Sequence, residues 1–386
     1  MRKVGYVTGS RADYGISRPV LNELRGSAGI DLQVLVCGMH LSEAFGHTVD
    51  EIETDGFSIN ARIPVLEAGD SAEDIATAIA RGVEGFASFF AKTPPDILVV
   101  LGDRFEMYAA ALAALPFGIP VTHVHGGELT LGAFDDALRH SMTKLSHLHF
   151  VATEDYARRV RQLGEEDWRI VVSGAPSLDN LKDVQLLNRK QLEERLELTL
   201  DDSPLLVTFH PVTLERDQMK SQIAALLTAV KSSRRQAIFT LPNADTGNQT
   251  ISNAIRAFVE TEPNTHVRDN LGTQRYFSLM DLAGAMVGNS SSGLIEAPSF
   301  ELPVVNIGNR QAGRGRAANV IDTGYTEPEI TAGIEKALAP DFCRTLSGLE
   351  NPYGRGDASK IIAESLSRIP LDARLMIKNF VDYNTP

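Results

Sequence analysis

Short apolar runs alternate along the chain with longer segments whose apolar residues recur every three or four positions. Uninterrupted apolar runs are typical of strands in a parallel sheet, which is buried on both faces, and the wider spacing predicts helices. The predicted strands cover residues 4–8, 32–37, 57–63, 96–101, 119–121, 147–151, 168–173, 204–209, 237–241, 285–287 and 303–307. The predicted helices cover residues 16–24, 48–55, 71–91, 105–115, a segment that starts at 135, 154–163, 278–283, a segment that begins near 293, 327–338 and 358–366.

The alternation stops at residues 174–180, GAPSLDN, and then starts again. A chain of 386 residues is long enough for two domains of about 150–200 residues each. We therefore predict two α/β domains with parallel sheets. The first comprises residues 1–173 and is completed by a C-terminal helix within 358–386, and the second comprises residues 174–357. Ligands bind outside the carboxyl ends of strands in such sheets, so polar residues at those ends are site candidates.

Two strand ends of the first half carry candidates. The first strand leads into a glycine-containing turn with Arg11, which either contacts an anion or is a solvated loop arginine. The strand at 96–101 ends in Gly-Asp-Arg. Asp103 there is either a site carboxylate or the N-cap of the helix that follows.

The densest polar segment follows the next strand, at residues 122–146, THVHGGELTLGAFDDALRHSMTKLS. A site for proton transfer needs several acids and bases, and this segment supplies His125, Glu128, Asp135 and Asp136. Helical spacing puts Asp136, His140 and Lys144 on one face, which is either part of the site or an ordinary charged face. No HExxH motif occurs, so no metal site is expected.

The second half offers groups suited to an anion. His210 precedes a proline, which favours an extended conformation at the strand end; the alternative is a packed core histidine. Ser290 and Ser291 lie in GNSSSGLIEAPS, residues 288–299, between a strand and a predicted helix, where they either bind phosphate or cap the helix. Glu296, one turn further on, could accept a hydrogen bond from a ribose hydroxyl. Arg310 opens a Gly/Arg-rich loop that is either an anion clamp or a surface loop.

Composition narrows the class of protein. The formal net charge is −13, which argues against nucleic acid as the main partner because phosphate neutralisation needs basic surface. No apolar run reaches about 18 residues, so no membrane span is expected. The first residues, MRKVGYVTGS, enter a strand pattern directly and lack the pattern of a signal peptide, and the chain has two cysteines. We expect a cytoplasmic protein.

Seven pieces in order resemble the hydrolysing UDP-N-acetylglucosamine 2-epimerase family of bacterial sialic acid and related nonulosonate pathways. They are SRADYG at 10–15, LGDRFE at 101–106, HVHGGE at 123–128, DDALRHSMTKLSH at 135–147, SGAPSLDN at 173–180, FHPVT at 209–213, and GNSSSGLIEA with NIGNRQAGR at 288–297 and 306–314. The resemblance implies a GT-B fold: two Rossmann-like domains with parallel sheets and the substrate in the cleft between them. It also implies a homodimer or homotetramer and no cofactor.

The resemblance also implies residue roles. Asp103 matches a catalytic carboxylate, and Asp135 or Asp136 matches the acidic pair of the following helix. Ser290 and Ser291 match serines that bind the diphosphate, and Glu296 matches the acid that binds ribose. His210 and Arg310 match contacts on the diphosphate side, and Arg11 matches a residue at the cleft.

One position departs from the family pattern. Members dedicated to N-acetylmannosamine have a glutamate as the third residue of HxEGGE, whereas this chain has His125 and keeps Glu128 as the later acid. An imidazole can still act as acid or base near neutral pH. The change can also reflect another sugar, because we associate HxHGGE with relatives in legionaminic acid synthesis that act on nucleotide-linked 2,4-diacetamido-2,4,6-trideoxyglucose.

We therefore predict a hydrolysing 2-epimerase that eliminates the nucleoside diphosphate to give a 2-acetamidoglycal and then hydrates it. The product would be free N-acetylmannosamine or 2,4-diacetamido-2,4,6-trideoxymannose. The sequence leaves open which sugar is used, whether the base is uracil or guanine, which acid or base serves which face of the sugar, and the oligomeric state. The alternatives are a non-hydrolysing epimerase, a GT-B glycosyltransferase and a nucleotide-sugar sensor.

Overall fold

The computed structural model describes residues 1–43, 46–66, 71–131, 133–212, 215–242, 247–269 and 271–383. The chain divides into two compact units. Unit 1 comprises Met1–Glu128, Asp135–Lys182 and Tyr353–Pro386, and unit 2 comprises Leu129–Phe134 and Asp183–Pro352. Within the described ranges, no helix combines the length and the apolar character that a membrane crossing requires.

Each unit contains one parallel sheet. The strands of unit 1 are β1 (Arg2–Thr8), β2 (Ile30–Cys37), β3 (Ile59–Ile63), β4 (Ile97–Leu101), β5 (Val121–Val124), β6 (Leu148–Val151) and β7 (Ile170–Val172). Those of unit 2 are β8 (Leu205–Thr208), β9 (Ala237–Thr240), β10 (Thr265–Arg268), β11 (Ala285–Gly288), β12 (Val304–Ile307) and β13 (Val320–Thr323). The spatial orders are β3-β2-β1-β4-β5-β6-β7 and β10-β9-β8-β11-β12-β13.

Helices connect the strands, as the alternating pattern predicts. They are α1 (Arg11–Gly26), α2 (Val49–Thr54), α3 (Ala72–Phe90), α4 (Phe105–Ala114), α5 (Asp135–Leu145), α6 (Glu154–Gln162), α7 (Asn180–Asp183), α8 (Arg189–Leu196), α9 (Met219–Ser233), α10 (Asn248–Thr261), α11 (Gly272–Leu282), α12 (Ser292–Ile295), α13 (Glu327–Ala337), α14 (Pro340–Arg344), α15 (Ala358–Arg368) and α16 (Ala373–Met376).

The strand order reverses at one point in each sheet, between β1 and β4 in unit 1 and between β8 and β11 in unit 2. Both sheets therefore have the doubly wound Rossmann order, in which ligands bind beside the carboxyl ends of the strands at the reversal. The strands next to it are buried along their whole length: β4 in unit 1, and β8 and β11 in unit 2. This burial matches their unbroken apolar sequences.

Apolar faces of the helices close the two cores. In unit 1, Val20 and Leu24 of α1 belong to the same buried cluster as Ile362 and Leu366 of α15, together with the strands β1, β2 and β4. In unit 2, residues of α9, α10 and α13 cover the strands β8, β9 and β11. The C-terminal helix α15 thus completes the core of unit 1.

Several predicted boundaries are wrong for identifiable reasons. Helix α1 begins at Arg11 and not at residue 16, because Ser10 caps it: the Ser10 Oγ accepts from the Asp13 backbone N–H at 3.2 Å. Strand β5 extends to Val124, so His123 lies inside the strand. Helix α11 begins six residues earlier than 278, at Gly272.

The sequence analysis missed several elements of unit 2, namely β10, β13, α8, α9, α10 and α14. Strand β10 lies at the edge of the sheet, so its sequence, THVR, lacks the apolar run of a buried strand. Helix α10 opens with the polar residues Asn248–Gln249–Thr250, which weakens the apolar spacing. Thr213, the last residue of the FHPVT motif, lies outside the described residues.

Candidate functional site

Asp103 and Arg139 meet at the carboxyl end of the first sheet. Asp103 follows β4, and α4 begins at Phe105, whose N-cap position is held by Arg104. The capping role considered for Asp103 is therefore wrong. Its carboxylate instead forms an ion pair with the guanidinium of Arg139 from α5. Arg139 is 3 % exposed, so this pair is held largely out of water, where its charges interact more strongly.

His125 stands just beyond β5 in a left-handed backbone conformation, with φ of 66°. Such a conformation is uncommon for a residue with a side chain and is characteristic of functional turns. It is held by backbone hydrogen bonds, since the His125 N–H donates to the Phe150 carbonyl at 2.9 Å and the His125 carbonyl accepts from Arg139 at 2.7 Å. His125 therefore lies outside β5, which ends at Val124, and does not share the strand geometry of His123.

The imidazole of His125 is oriented by Glu128. Its Nδ1 lies 2.5 Å from Glu128 Oε1, and both side chains are buried. A carboxylate can only accept, so Nδ1 carries the hydrogen of this bond, and in the neutral ring Nε2 keeps its lone pair. Nε2 makes no hydrogen bond to any residue that the structure describes. The geometry thus fixes a tautomer in which Nε2 can accept a proton.

Arg139 links these acids into one network. Its Nη1 lies 3.8 Å from Glu128 Oε2, while its Nη2 bonds Asp103. Asp103, His125, Glu128 and Arg139 form what we call the acid–base cluster. The two carboxylates and the imidazole are groups that can transfer protons, and the guanidinium is a cation placed beside the carboxylates.

His123 is not part of the acid–base cluster. It is fully buried in β5, its Nε2 lies 2.8 Å from the Gly102 carbonyl and its Nδ1 lies 3.3 Å from Thr143 Oγ1. Burial lowers the pKa of His123 to about 3, although the bond to the Gly102 carbonyl opposes that shift. His123 is therefore neutral at working pH and ties β5 to the end of β4 and to α5.

The two glycines of HVHGGE allow close packing. A Cβ atom on Gly127 would lie 2.5 Å from the Tyr156 carbonyl oxygen, and the φ of Gly127 is 77°. Both facts exclude a side chain at this position. The turn that carries His125 and Glu128 is thereby packed against α6.

Asp135 and Asp136 form the first turn of α5, where acidic side chains favour the helix dipole. Asp136 lies 3.6 Å from His140, as the predicted shared face requires. Burial lowers the pKa of His140, and Asp136 partly offsets this. Arg139 of the same helix is buried and pairs with Asp103.

Arg11 is the first residue of α1 and forms an ion pair with Glu51 at 2.8 Å. It is therefore neither in a loop nor freely solvated. It sits at the N-terminus of a 16-residue helix that follows β1, at the reversal of the sheet. This is the position at which Rossmann-like folds receive anions.

In unit 2, Asn289 lies at the end of β11 and forms hydrogen bonds with two predicted site residues, His210 and Arg310. Its Oδ1 accepts from the His210 backbone N–H at 2.7 Å, and its Nδ2 donates to the His210 carbonyl at 2.9 Å. The Asn289 carbonyl accepts from Arg310 at 3.1 Å and from Gln311 at 2.8 Å. His210, Asn289, Ser290, Ser291 and Arg310 form what we call the Asn289 cluster. It brings together residues from the ends of β8, β11 and β12.

The close approach of β8 and β11 requires Gly288. Its φ is 141°, and a Cβ there would lie 1.9 Å from the Thr208 carbonyl oxygen. Asn289 can therefore reach across to His210 only because the preceding residue is glycine.

The serines after Gly288 precede α12, a helix of four residues that begins at Ser292, close to the predicted start near residue 293. The Ser290 Oγ accepts from the Ser292 N–H at 3.4 Å, whereas Ser291 occupies the N-cap position without a side-chain capping bond. The dipole of so short a helix is small, so the serine hydroxyls are the more important groups for an anion at this position. Glu296 is buried at the end of α12. Burial raises the pKa of the neighbouring Tyr276 to about 12.

The remaining arginines of the predicted clamp are engaged within unit 2. Arg314 Nε donates to the Leu129 carbonyl at 2.5 Å, and Arg316 pairs with Asp322 at 2.9 Å. Of the three arginines in the Gly/Arg-rich loop, Arg310 is the one bonded to the Asn289 cluster. Within the described ranges, no group of three or more His, Cys, Asp or Glu side chains is arranged to hold a metal ion.

Arg139 and Asn289 organise the two clusters, and neither was a sequence candidate. The signal for Arg139 was a cation in the buried stripe of α5, one turn before Met142. The signal for Asn289 was its place between Gly288 and the serines. An asparagine gives no charge or periodicity by which sequence reasoning selects it.

Comparison with known proteins places these features in a family. The family model described as UDP-N-acetylglucosamine 2-epimerase matches residues 22–367. The UDP-N,N'-diacetylbacillosamine 2-epimerase (hydrolyzing) of Legionella pneumophila is 40 % identical, with 98 % of this chain and 99 % of that protein covered. The GDP/UDP-N,N'-diacetylbacillosamine 2-epimerase (hydrolyzing) of Campylobacter jejuni is 39 % identical, with 99 % of each covered.

A solved structure supports the fold class. The crystal structure of UDP-GlcNAc 2-epimerase from Neisseria meningitidis bound to UDP-GlcNAc matches with a TM-score of 0.80 and 22 % identity, over 94 % of this chain and 99 % of that one. With its two doubly wound parallel sheets, the chain has the predicted GT-B class of fold.

Proposed function

The chain belongs to the UDP-N-acetylglucosamine 2-epimerase family, and on that premise we propose that it is a hydrolysing 2-epimerase of a nucleotide-linked N-acetyl sugar. The observation that carries this proposal is the acid–base cluster, in which a tautomerically fixed imidazole is surrounded by two carboxylates and an arginine. Full-length relatives named as hydrolysing epimerases support it.

The reaction has two halves, each of which moves a proton at C2. In the first half, the C1–O bond to the nucleoside diphosphate breaks and a base removes the C2 proton, which gives a 2-acetamidoglycal. In the second half, water supplies a hydroxyl to C1 and a proton is added to C2 from the opposite face. The sum is one nucleotide sugar and one water converted to one free 2-epimer and one nucleoside diphosphate. Two acid–base groups are needed, one for each face.

We assign one of these roles to Nε2 of His125. Glu128 is then a positioning residue, since it holds the Nδ1 hydrogen and stabilises the imidazolium that forms when Nε2 takes a proton. We propose Asp103 as the second acid–base group, with its carboxylate oriented by the ion pair to Arg139. Asp135 and Asp136 are the alternative candidates for this second acid–base role, because they lie in the first turn of α5, one turn before Arg139.

The Asn289 cluster is the proposed holder of the nucleotide. The Arg310 guanidinium, the Ser290 and Ser291 hydroxyls and the His210 ring can hydrogen bond a diphosphate, and Glu296 can accept from ribose hydroxyls. Arg11 is proposed as a further contact to the diphosphate. Cationic and hydroxyl groups at a departing diphosphate stabilise the charge that develops there.

The proposed substrate is a nucleotide-linked 2,4-diacetamido-2,4,6-trideoxyglucose, which is N,N'-diacetylbacillosamine, and the proposed pathway is nonulosonic acid synthesis of the legionaminic type. Two relatives of about 40 % identity carry that substrate in their names. His125, where a glutamate is expected for N-acetylmannosamine enzymes, agrees with this choice.

The test is proton NMR in heavy water with three separate substrates: UDP-N-acetylglucosamine, and the UDP- and GDP-linked diacetamido sugars. The expected result is a free manno-configured diacetamido sugar with deuterium at C2, together with the nucleoside diphosphate. An intact epimerised nucleotide sugar would assign a non-hydrolysing epimerase instead. Binding without turnover would contradict the proposal and favour a transferase or a sensor.

A further inference from the structure

Two helices begin with the same capping sequence, and only one of them uses it fully. In α3 the capping box closes: the Ser71 backbone N–H donates to Asp74 Oδ2 at 2.9 Å, and the Asp74 N–H donates to Ser71 Oγ at 3.2 Å. In α1 the Ser10 Oγ accepts from the Asp13 N–H, but the Asp13 carboxyl does not return to the Ser10 backbone. The carboxyl group of Asp13 therefore does not complete a capping box in α1.

Asp13 is buried, with 8 % of its surface exposed. Its Oδ2 has no hydrogen-bond partner among the residues that the structure describes. A buried carboxylate oxygen without a partner is costly, because it has lost water and gained nothing in return. A protonated carboxyl avoids most of that cost.

The nearby arginines are paired with other acids, so neither forms an ion pair with Asp13. Arg104 donates to both carboxylate oxygens of Glu106 at 3.2 Å, so that guanidinium is engaged with another acid. Asp103 is paired with Arg139. The titratable and charged groups that interact with Asp13 come from three places. They are Asp103 and Arg104 from the turn after β4, Glu106 from the first turn of α4, and Tyr6 and Cys37 from β1 and β2.

Burial is the main cause that raises the pKa of Asp13 to about 6, and the negative charges of Glu106 and Asp103 add to it. Arg104 and the Ser10 hydroxyl oppose the shift. Asp13 is thus poised between its two protonation states close to neutral pH. A new negative charge nearby would move it to the neutral form.

Asp13 also lies where the proposed substrate brings such a charge. It is in the first turn of α1, two residues after Arg11, at the reversal of the unit 1 sheet. A diphosphate bound there would be repelled by an ionised Asp13.

We propose that Asp13 takes up a proton from solvent when the anionic nucleotide sugar binds beside α1 and gives it back when the nucleoside diphosphate leaves. Asp13 is a positioning residue in this scheme: by becoming neutral, it removes a negative charge that would repel the diphosphate. This inference rests on the proposed function, because it takes the diphosphate to lie at Arg11. No covalent step is involved, only one proton exchanged with water.

The test counts the protons taken up on binding. The ligand is UDP-linked diacetamido sugar, whose two phosphates remain ionised across the range studied, so any proton taken up goes to the protein. His125→Ala serves as the background, to prevent turnover. Binding heats are measured near pH 7 in buffers of different ionisation enthalpy, for the background alone, with Asp13→Asn added and with Asp74→Asn added as the matched control.

Uptake approaching one proton per ligand is expected for the background and for the Asp74→Asn control, and Asp13→Asn should abolish it. Equal uptake in all three proteins, or no uptake in any of them, would overturn the proposal. If Asp13→Asn does not fold, the background protein alone decides. Its dissociation constant should rise with pH above about 6, by up to about tenfold per unit, and a constant value from about 6 to about 8 would overturn the proposal.

A failure here is distinguishable from a failure of the proposed function. Proton uptake is measured from binding alone, whereas the epimerase activity is measured from the products of the unmodified protein. A protein that turns over substrate but binds it without proton uptake keeps the function and loses the role of Asp13.

Discussion

The acid–base cluster and the Asn289 cluster occupy the same place in two sheets of the same strand order, yet they are made of different groups. In unit 1, ion pairs and an imidazole–carboxylate bond hold the cluster together, and its carboxyl and imidazole groups are of types that can exchange protons. In unit 2, an amide, backbone carbonyls and hydroxyls do so, with Arg310 as the cation. Topology thus sets where a site lies, and the residues at the strand ends set what it does.

The two clusters contain groups that suit two different tasks, proton transfer in unit 1 and anion binding in unit 2. Groups that change protonation state suit a reaction at C2, whereas groups of fixed state suit an anion that must be held and then released. The account therefore predicts that changes in unit 1 affect turnover and that changes in unit 2 affect binding.

The largest effect is expected from His125→Ala. The change removes the proposed proton acceptor, so kcat should fall by about 10²–10⁴-fold. Affinity for UDP should stay within about twofold, because the Asn289 cluster is unchanged. Steady-state kinetics and calorimetry check the two parts. Retained turnover would remove His125 from the mechanism.

Glu128→Gln comes next. The amide can still contact Nδ1 but cannot stabilise an imidazolium, so kcat should fall by about 10²-fold. The acidic limb of the kcat/KM profile should move to lower pH, since the proton is held less firmly. A loss of activity with an unchanged pH profile would mean that Glu128 only supports the turn.

Asp13→Asn should stabilise the protein at pH 8, by about 2 kcal/mol. The folded pKa, about 6, lies above the usual 3.8. Asp13 therefore adds stability below about pH 4 that is lost as the pH rises through about 6. The substituted amide has no such loss, so the difference in unfolding free energy should grow between these values.

Chemical denaturation at pH 4, 6 and 8 measures this growth. Asp74→Asn is the control with the opposite sign: hydrogen bonds from Ser71 lower the pKa of Asp74, so its replacement should weaken the cap at pH 8. An Asp13→Asn protein less stable than wild type at pH 8 would show that Asp13 is ionised and satisfied.

The smallest effect is expected from Ser291→Ala. Its hydroxyl makes no capping bond, so the fold should not depend on it. Loss of one hydrogen bond to the diphosphate should raise KM about tenfold and leave kcat unchanged. Ser221→Ala, an exposed serine of α9, is the control. A fall in kcat with constant KM would mean that Ser291 acts in the chemical step, and it would contradict the assignment of binding alone to unit 2.

Much of the fold could be predicted from the sequence because buried strands have unbroken apolar runs, as β4 and β8 do. The prediction failed for elements that lack such a run. Edge strand β10 needs no apolar run, and α12 is ended after one turn although its sequence resembles the start of a longer helix. The parallel order itself follows from the alternation of strands and helices.

The site was less predictable, because its geometry depends on tertiary contacts. His125 was a candidate by residue type, but its left-handed backbone and its bond to Glu128 arise from packing against β6 and α5. In the sequence, Arg139 is one of several charged residues of a predicted helix. Its ion pair with Asp103 depends on the packing of α5 beside the end of β4. The open capping box of Asp13 is invisible in sequence, since Ser71 and Asp74 have the same spacing and close it.

The most direct test of the division of labour measures kcat and the dissociation constant for UDP in two variants side by side, His125→Ala and Ser291→Ala. The account predicts a crossed result: His125→Ala loses turnover and keeps affinity, while Ser291→Ala loses affinity and keeps turnover. If both variants lose both quantities in the same proportion, the two clusters do not have separate tasks and the account is contradicted.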